Sequence, residues 1–306
     1  MLGADSRELT TFEKIFNVGF NVRYTLIGFF DALSEESMSR PGDVIHFLGR
    51  EVEVDGYNKE EQRESLRRLF QSTPWLTYRS GFPQLYHELK GTYVSDTGWG
   101  CMIRVGQMAL AQMMKRHLRV ESQEQMGPII ELFSDVDKEQ PFSIHSISKA
   151  ARREFGLLPG DWFNPSQIAH VLACLQQRHL QAKNRLNLVV FNSGNLFFDQ
   201  LLEAMMAGRE VADCKCKLGN KLICDRCNQA SMAVGAVVLT RIGLEAPEEK
   251  YLSVLADMME LKQFQGMIGG RPKKALYFLG TYNRDHYIYL DPHYVQQAEA
   301  DSSAHQ

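Results

Sequence analysis

The sequence predicts an α+β protein with a central buried helix, an antiparallel sheet and a small accessory lobe. Residues 101–118 contain no proline, and their apolar side chains surround most of the predicted helix, a pattern typical of a buried helix. Residues 275–280 and 286–290 are aromatic-rich strand candidates on either side of the polar turn Asn283-Arg284-Asp285, which favours a hairpin. Helices dominate the first part of the chain, and strands mix with helices in the second.

The remaining elements follow from hydrophobic periodicity and from residues that begin or end helices. Pro141 and Pro165 stand where helices begin, and Gly156 stands where one ends. We predict strands at 44–48, 186–191 and 233–241, and helices at 59–70, 143–155, 165–178, 197–206 and 249–260.

Composition and charge exclude several classes of protein. Apolar residues make up 44% and charged residues 23% of the 306 residues, which excludes general disorder. The net charge of −3 gives no reason to expect nucleic acid as a partner. The sequence shows neither a membrane-spanning apolar run nor an export signal, so we expect a cytoplasmic protein with its six cysteines reduced.

Cys101 is the candidate nucleophile. Gly98-Trp99-Gly100 leads directly into the predicted central helix and places Cys101 in its first turn. Free N–H groups and the helix dipole at that position stabilise a thiolate and can donate to an oxyanion. The alternative is that Cys101 is a small buried apolar residue, which is common for cysteine.

Asp291 and His293 are the candidate partners of that thiol. They lie two residues apart at the end of the second hairpin strand, so their side chains can share a face. A carboxylate beside an imidazole fixes its tautomer and stabilises its protonated form. The alternative is a surface turn opened by Asp-Pro. A cysteine at a helix start and a strand-end Asp/His pair are the two halves of a papain-like site.

Several segments, in the same order, resemble the autophagins, the autophagy-related protein 4 cysteine proteases. The most specific runs from Ser95 to Arg104 (SDTGWGCMIR), and residues 289–293 (YLDPH) resemble the family's Asp/His motif. The resemblance covers residues 43–294, and its other matches are 47–50 (FLGR), 75–79 (WLTYR), 141–145 (PFSIH), 161–163 (DWF) and 268–272 (IGGRP).

The resemblance implies a papain-like fold and a protease that cleaves ubiquitin-like autophagy modifiers after a C-terminal glycine. Such enzymes process the modifier precursor and release the modifier from phosphatidylethanolamine at membranes, so the expected partners are modifiers of the autophagy-related protein 8 type in free and lipid-linked form. By matching positions, Cys101 is the nucleophile, His293 the base and Asp291 its orienting group. Tyr78 matches an oxyanion-hole tyrosine, while Trp162 and Pro272 match residues beside the substrate cleft, Pro272 on a regulatory loop. No cofactor is expected for catalysis.

Two features depart from the resembled family. Its members continue with a further strand and helix, whereas this sequence ends at Gln306, which keeps open a catalytically impaired scaffold that binds the modifier. Cys214, Cys216, Cys224 and Cys227 could hold a structural zinc ion, or could be reduced thiols in an exposed insertion. If zinc binds, a zinc-dependent interaction module is a further alternative function. We divide the chain into an N-terminal segment (1–42), a papain-like catalytic domain (43–295) with a cysteine-rich insertion (213–228), and a polar tail (296–306).

Overall fold

The computed structural model describes residues 42–53, 59–179, 185–206, 232–242, 249–271, 273–284 and 286–298. Its strands are β1 (Val44–Phe47), β2 (Arg50–Glu53), β3 (Tyr78–His87), β4 (Gly91–Ser95), β5 (Leu186–Phe191), β6 (Ala233–Val238), β7 (Met267–Arg271), β8 (Lys274–Tyr282), β9 (His286–Leu290) and β10 (Val295–Gln297). Its α-helices are α1 (Lys59–Gln71), α2 (Cys101–His117), α3 (Gly127–Glu131), α4 (Ile144–Phe155), α5 (Pro165–His179), α6 (Phe198–Met206) and α7 (Glu249–Glu260).

The main sheet is antiparallel and is organised around β8. That strand pairs with β1, β7 and β9, while β2 pairs with β1. Nearly all of β8 is buried, so its apolar and aromatic side chains form part of the core. At Gly280 a Cβ would lie 1.8 Å from the His46 carbonyl oxygen, so only glycine permits this close approach of β1 and β8.

Helix α2 crosses the core and contacts both β8 and α5. Ile103, Val105, Met108, Ala111 and Met114 have no measurable exposure, as expected for a helix that is apolar around most of its circumference. Gly106 lets α5 approach closely, because a Cβ there would lie 2.5 Å from Ile168 Cγ1. The helix therefore holds its first residue, Cys101, in a fixed place at the edge of the core.

Two smaller sheets complete the described fold. In the first, β3 pairs with β4 antiparallel and with β10 parallel, with Tyr78 opposite Val295. In the second, β5 and β6 run parallel, with α5 and α6 packed against them. The first of these sheets matters for the site, because its strand β3 pairs with β10, which follows β9 in the chain.

The predicted α+β class is confirmed, and helices 59–70, 165–178 and 249–260 agree with the structure to within a residue. The predicted strand at 233–241 ends earlier, at Val238. The hairpin of β3 and β4 was not predicted, nor was the strand β10, which includes Gln296 and Gln297 of the predicted polar tail. Among the helices that the structure describes, none has the length and apolar character needed to cross a membrane.

Candidate active site

Cys101 is the first residue of α2, and a compact turn from Asp96 leads into it. The Asp96 carbonyl accepts hydrogen bonds from the N–H groups of Trp99, at 3.1 Å, and Gly100, at 2.8 Å. Gly98 adopts φ +84°, and a Cβ on Gly100 would lie 2.1 Å from Asp96 Oδ2. Both glycines are therefore required by the turn, and the Cys101 N–H is left at the open end of the helix.

Asp291 and His293 lie where the chain leaves β9. His293 Nδ1 is 2.5 Å from Asp291 Oδ1, and the same oxygen accepts the His293 backbone N–H at 2.9 Å. His293 Nε2 lies 3.2 Å from the Lys273 carbonyl oxygen. A carboxylate and a carbonyl only accept hydrogen bonds, so both ring nitrogens must carry protons for both bonds to form. The two contacts therefore favour the imidazolium form of His293.

The charges of Cys101, His293 and Asp291 support one another. Burial raises the pKa of the Cys101 thiol, but hydrogen bonds from His293 and the Ala275 N–H outweigh burial and lower that pKa below its usual value. Burial lowers the pKa of His293, but Asp291 and Cys101 raise it by more, to about 9. The hydrogen bonds with His293 likewise hold the pKa of Asp291 below its usual range, against the effect of burial. All three shifts favour a thiolate, an imidazolium and a carboxylate.

Tyr78 is the first residue of β3 and lies close to both His293 and Cys101. Its ring meets the His293 ring edge to face, with the centroids 5.5 Å apart. Burial and the Cys101 thiolate raise the pKa of the Tyr78 phenol far above its usual value, so the hydroxyl stays protonated and can donate to Cys101. Its backbone N–H donates to the Pro292 carbonyl at 3.0 Å. The structure thus brings Tyr78 together with the three predicted catalytic residues.

Trp162 contacts the turn that leads from Asp96 to Cys101. Its indole N–H donates to the Gly98 carbonyl at 3.0 Å, and the Lys273 ammonium lies 5.0 Å from the centre of its ring. Lys273 adopts φ +69° in the turn between β7 and β8. Pro272 lies outside the described residues, so its predicted place beside the cleft stays a prediction.

A buried ionic cluster behind the site was not singled out from the sequence. Arg104, one turn along α2 from Cys101, donates from Nε to Asp96 Oδ2 at 2.8 Å and lies 2.7 Å from Asp135 Oδ2 through Nη1. Asp96 Oδ1 accepts the Arg79 N–H at 2.6 Å, and Asp135 Oδ1 accepts the Ile144 N–H at 2.7 Å. All four carboxylate oxygens therefore have a donor. The signal available in the sequence was an arginine among the apolar residues of the predicted central helix, eight positions after Asp96.

The four clustered cysteines, Cys214, Cys216, Cys224 and Cys227, also lie outside the described residues. Within the described ranges, no group of three or more His, Cys, Asp or Glu side chains is placed to hold a metal ion. Zinc binding by the four cysteines stays a prediction, which metal analysis of the purified protein tests.

A thiol at the start of a central helix, beside an imidazole oriented by a carboxylate, defines the class of papain-like cysteine peptidases. Comparison with known proteins agrees with this class. The model of the peptidase C54 catalytic domain matches residues 63–306, and the chain belongs to this family, that of the Atg4 cysteine proteases.

Individual relatives carry the same family name. A probable cysteine protease atg4 of Schizosaccharomyces pombe is 29% identical over 255 residues, which cover 83% of this chain and 67% of that protein. Cysteine protease ATG4B of Xenopus laevis is 33% identical over 264 residues, covering 82% of this chain and 65% of that protein. A probable atg4 of Sclerotinia sclerotiorum is 30% identical, covering 75% and 53%. The chain spans about half to two thirds of the length of these relatives.

Proposed function

We propose that this protein is a cysteine protease that cleaves ubiquitin-like modifiers of the autophagy-related protein 8 type after a C-terminal glycine. The observation that carries the proposal is the arrangement of Cys101, His293 and Asp291, in which the thiol pKa is lowered and the imidazole pKa is raised. The modifier as substrate follows from the resemblance of the motifs around these residues and from family membership.

The reaction begins with attack of the Cys101 thiolate on the glycine carbonyl carbon. The carbonyl oxygen becomes an oxyanion, which the Cys101 backbone N–H and the Tyr78 hydroxyl stabilise by donating hydrogen bonds. The His293 imidazolium gives its Nε2 proton to the departing amine as the carbon–nitrogen bond breaks, leaving a thioester on Cys101. Neutral His293 then takes a proton from water, which attacks the thioester and frees the modifier and the thiolate.

One site can serve both reactions of the resembled family, because the departing amine enters the chemistry only as a nitrogen that accepts a proton. It is a peptide nitrogen in precursor processing and the ethanolamine nitrogen in removal of phosphatidylethanolamine. We attribute the requirement for glycine to a narrow cleft between Trp162 and the turn that carries Lys273. The side chains of Trp162 and Lys273 lie in contact. The substrate glycine would have to separate them, and a larger residue would have to separate them further. The cytoplasm, where both forms of the modifier would be reached, is the proposed location.

The alternative is a scaffold that binds the modifier without cleaving it. The charge arrangement favours the protease, because a binding scaffold has no use for a stabilised thiolate beside an imidazolium.

Incubation with a precursor modifier that carries extra residues after its glycine tests the proposal. We expect the wild-type chain to release the tail, and Cys101→Ala to bind the precursor without cleaving it. A precursor with leucine in place of the glycine should resist cleavage. Binding by wild-type protein without cleavage would establish the scaffold, and cleavage that persists in Cys101→Ala would overturn the assignment of the nucleophile.

A further inference from the structure

All three tryptophans of the chain donate their indole N–H to a backbone carbonyl near the site. Trp99 donates to Ser95, the last residue of β4, at 3.0 Å. Trp162 donates at 3.0 Å to Gly98, in the turn that precedes Cys101. Trp75 instead donates to the Asp291 carbonyl at 2.9 Å, across 216 positions of sequence. Trp75 is thus the tryptophan that contacts the segment carrying the imidazole.

The Trp75 ring contacts the far end of the same segment as well. It meets the Tyr294 ring edge to face, with centroids 5.7 Å apart. Since Asp291 precedes His293 and Tyr294 follows it, one half-buried indole holds the chain on both sides of the imidazole. The contact with Asp291 is a directed hydrogen bond, and the contact with Tyr294 is a packing contact.

The segment needs such support because it has left the main sheet. β9 ends at Leu290, and Pro292 has no N–H with which to join a ladder. The Asp291 side chain is occupied with His293, whose backbone N–H and Nδ1 both contact Oδ1. The peptide after Asp291 is fixed through its carbonyl oxygen, and a rotation of that peptide would carry the carboxylate away from the imidazole.

We propose that Trp75 is a positioning residue for the Asp291–His293 pair, acting through the hydrogen bond from its indole N–H to the Asp291 carbonyl. The proposal rests on the proposed function and extends it to a residue that touches neither substrate nor the reacting atoms. The Trp75 indole N–H binds the Asp291 carbonyl, and the Tyr78 backbone N–H binds the next carbonyl, that of Pro292. Both donors come from residues 75–78, where the chain enters β3.

Trp75→Phe tests the proposal, because it keeps an aromatic ring against Tyr294 and removes the donor. We expect kcat to fall about tenfold or more with KM nearly unchanged, since small displacements of a catalytic group are costly. An NMR titration of the labelled His293 ring should show its pKa falling toward the usual histidine value, because the carboxylate is no longer held in place. Tyr287→Phe is the matched control, because it loses a hydroxyl donor to the Leu252 carbonyl, outside the segment, and should leave the His293 titration where it is.

Replacement of Trp75 by 3-benzothienylalanine decides the matter if Trp75→Phe fails to fold. That side chain keeps the bicyclic shape and carries sulfur in place of the N–H, so the packing stays and the donor is lost. A normal kcat and His293 titration in this variant would overturn the proposal, as would a lower kcat with an unmoved titration. The titration needs no substrate, so an absence of cleavage in the wild-type chain would count against the proposed function and not against the role of Trp75.

Discussion

Arg104 donates from Nε to Asp96 Oδ2 over 2.8 Å, with 1% of the arginine side chain and none of the aspartate side chain exposed. The same guanidinium lies 2.7 Å from Asp135 Oδ2 through Nη1. The Asp96 carbonyl also accepts hydrogen bonds in the turn before Cys101, and Asp96 Oδ1 accepts the Arg79 N–H of β3. The Arg104–Asp96 pair therefore links helix α2, which carries the nucleophile, to β3. The first prediction concerns this link.

Arg104→Met should lower the free energy of unfolding by about 3–5 kcal/mol, because it leaves two buried carboxylates without their cation. Chemical denaturation measures the loss. The matched control adds Asp96→Asn and Asp135→Asn to Arg104→Met, so that no unpaired charge remains while the two amide oxygens still accept backbone N–H groups. This triple variant should regain most of the loss. Equal stability of the single and triple variants would show that charge burial is not the cause.

The pH profile of kcat/KM should be bell-shaped. The acidic limb marks formation of the Cys101 thiolate, whose pKa is lowered mainly by His293 against burial. The basic limb marks deprotonation of the His293 imidazolium, whose pKa Asp291 and Cys101 raise to about 9. Since the folded value lies above that of free histidine, activity should persist to about pH 9 and then fall.

In Asp291→Asn the imidazole loses its orienting charge, so activity should fall by about 10⁴-fold and the upper limb should move to lower pH. A profile measured with a modifier precursor tests both parts. An upper limb unchanged in Asp291→Asn would mean that Asp291 does not set the titration of His293.

Lys273→Ala should raise kcat/KM by about two- to fivefold, the factor expected for loss of an exposed cation–π contact. The Lys273 ammonium lies 5.0 Å from the Trp162 ring centre, and in the proposed function the substrate chain enters between these side chains and separates them. Lys273→Arg keeps a cation over the ring and should behave as wild type. A lower kcat/KM in Lys273→Ala would indicate that Lys273 contacts the substrate.

Local patterns carried much of the fold and of the site. Cys101 stands at a helix start marked by two glycines, and the Asp291–His293 pair stands at a strand end marked by proline, so each half could be predicted from a few neighbouring residues. The proposed orientation of the Asp-Pro-His segment by Trp75 could not be predicted from the sequence. Trp75 and Asp291 lie 216 positions apart, and every residue has a backbone carbonyl, so no residue type marks the acceptor.

β3 was missed for a related reason. Its burial does not alternate regularly, since the pairing with β4 shifts register between Ser80 and Leu85, and the strand contains Pro83, a residue that is unusual inside strands. Its parallel partner β10 lies at the other end of the chain and offers only three residues. Such a strand is specified by its partners and has no periodic pattern of its own.

The proposed chemistry requires Cys101 and His293 to form a thiolate–imidazolium pair. The rate of alkylation of Cys101 by iodoacetamide, measured against pH in the wild-type chain and in His293→Ala, tests it most directly. We expect a wild-type midpoint well below the free-cysteine value of about 8.5, and a higher midpoint in His293→Ala, which lacks the imidazole. A wild-type midpoint near about 8.5 that His293→Ala leaves unchanged would contradict it.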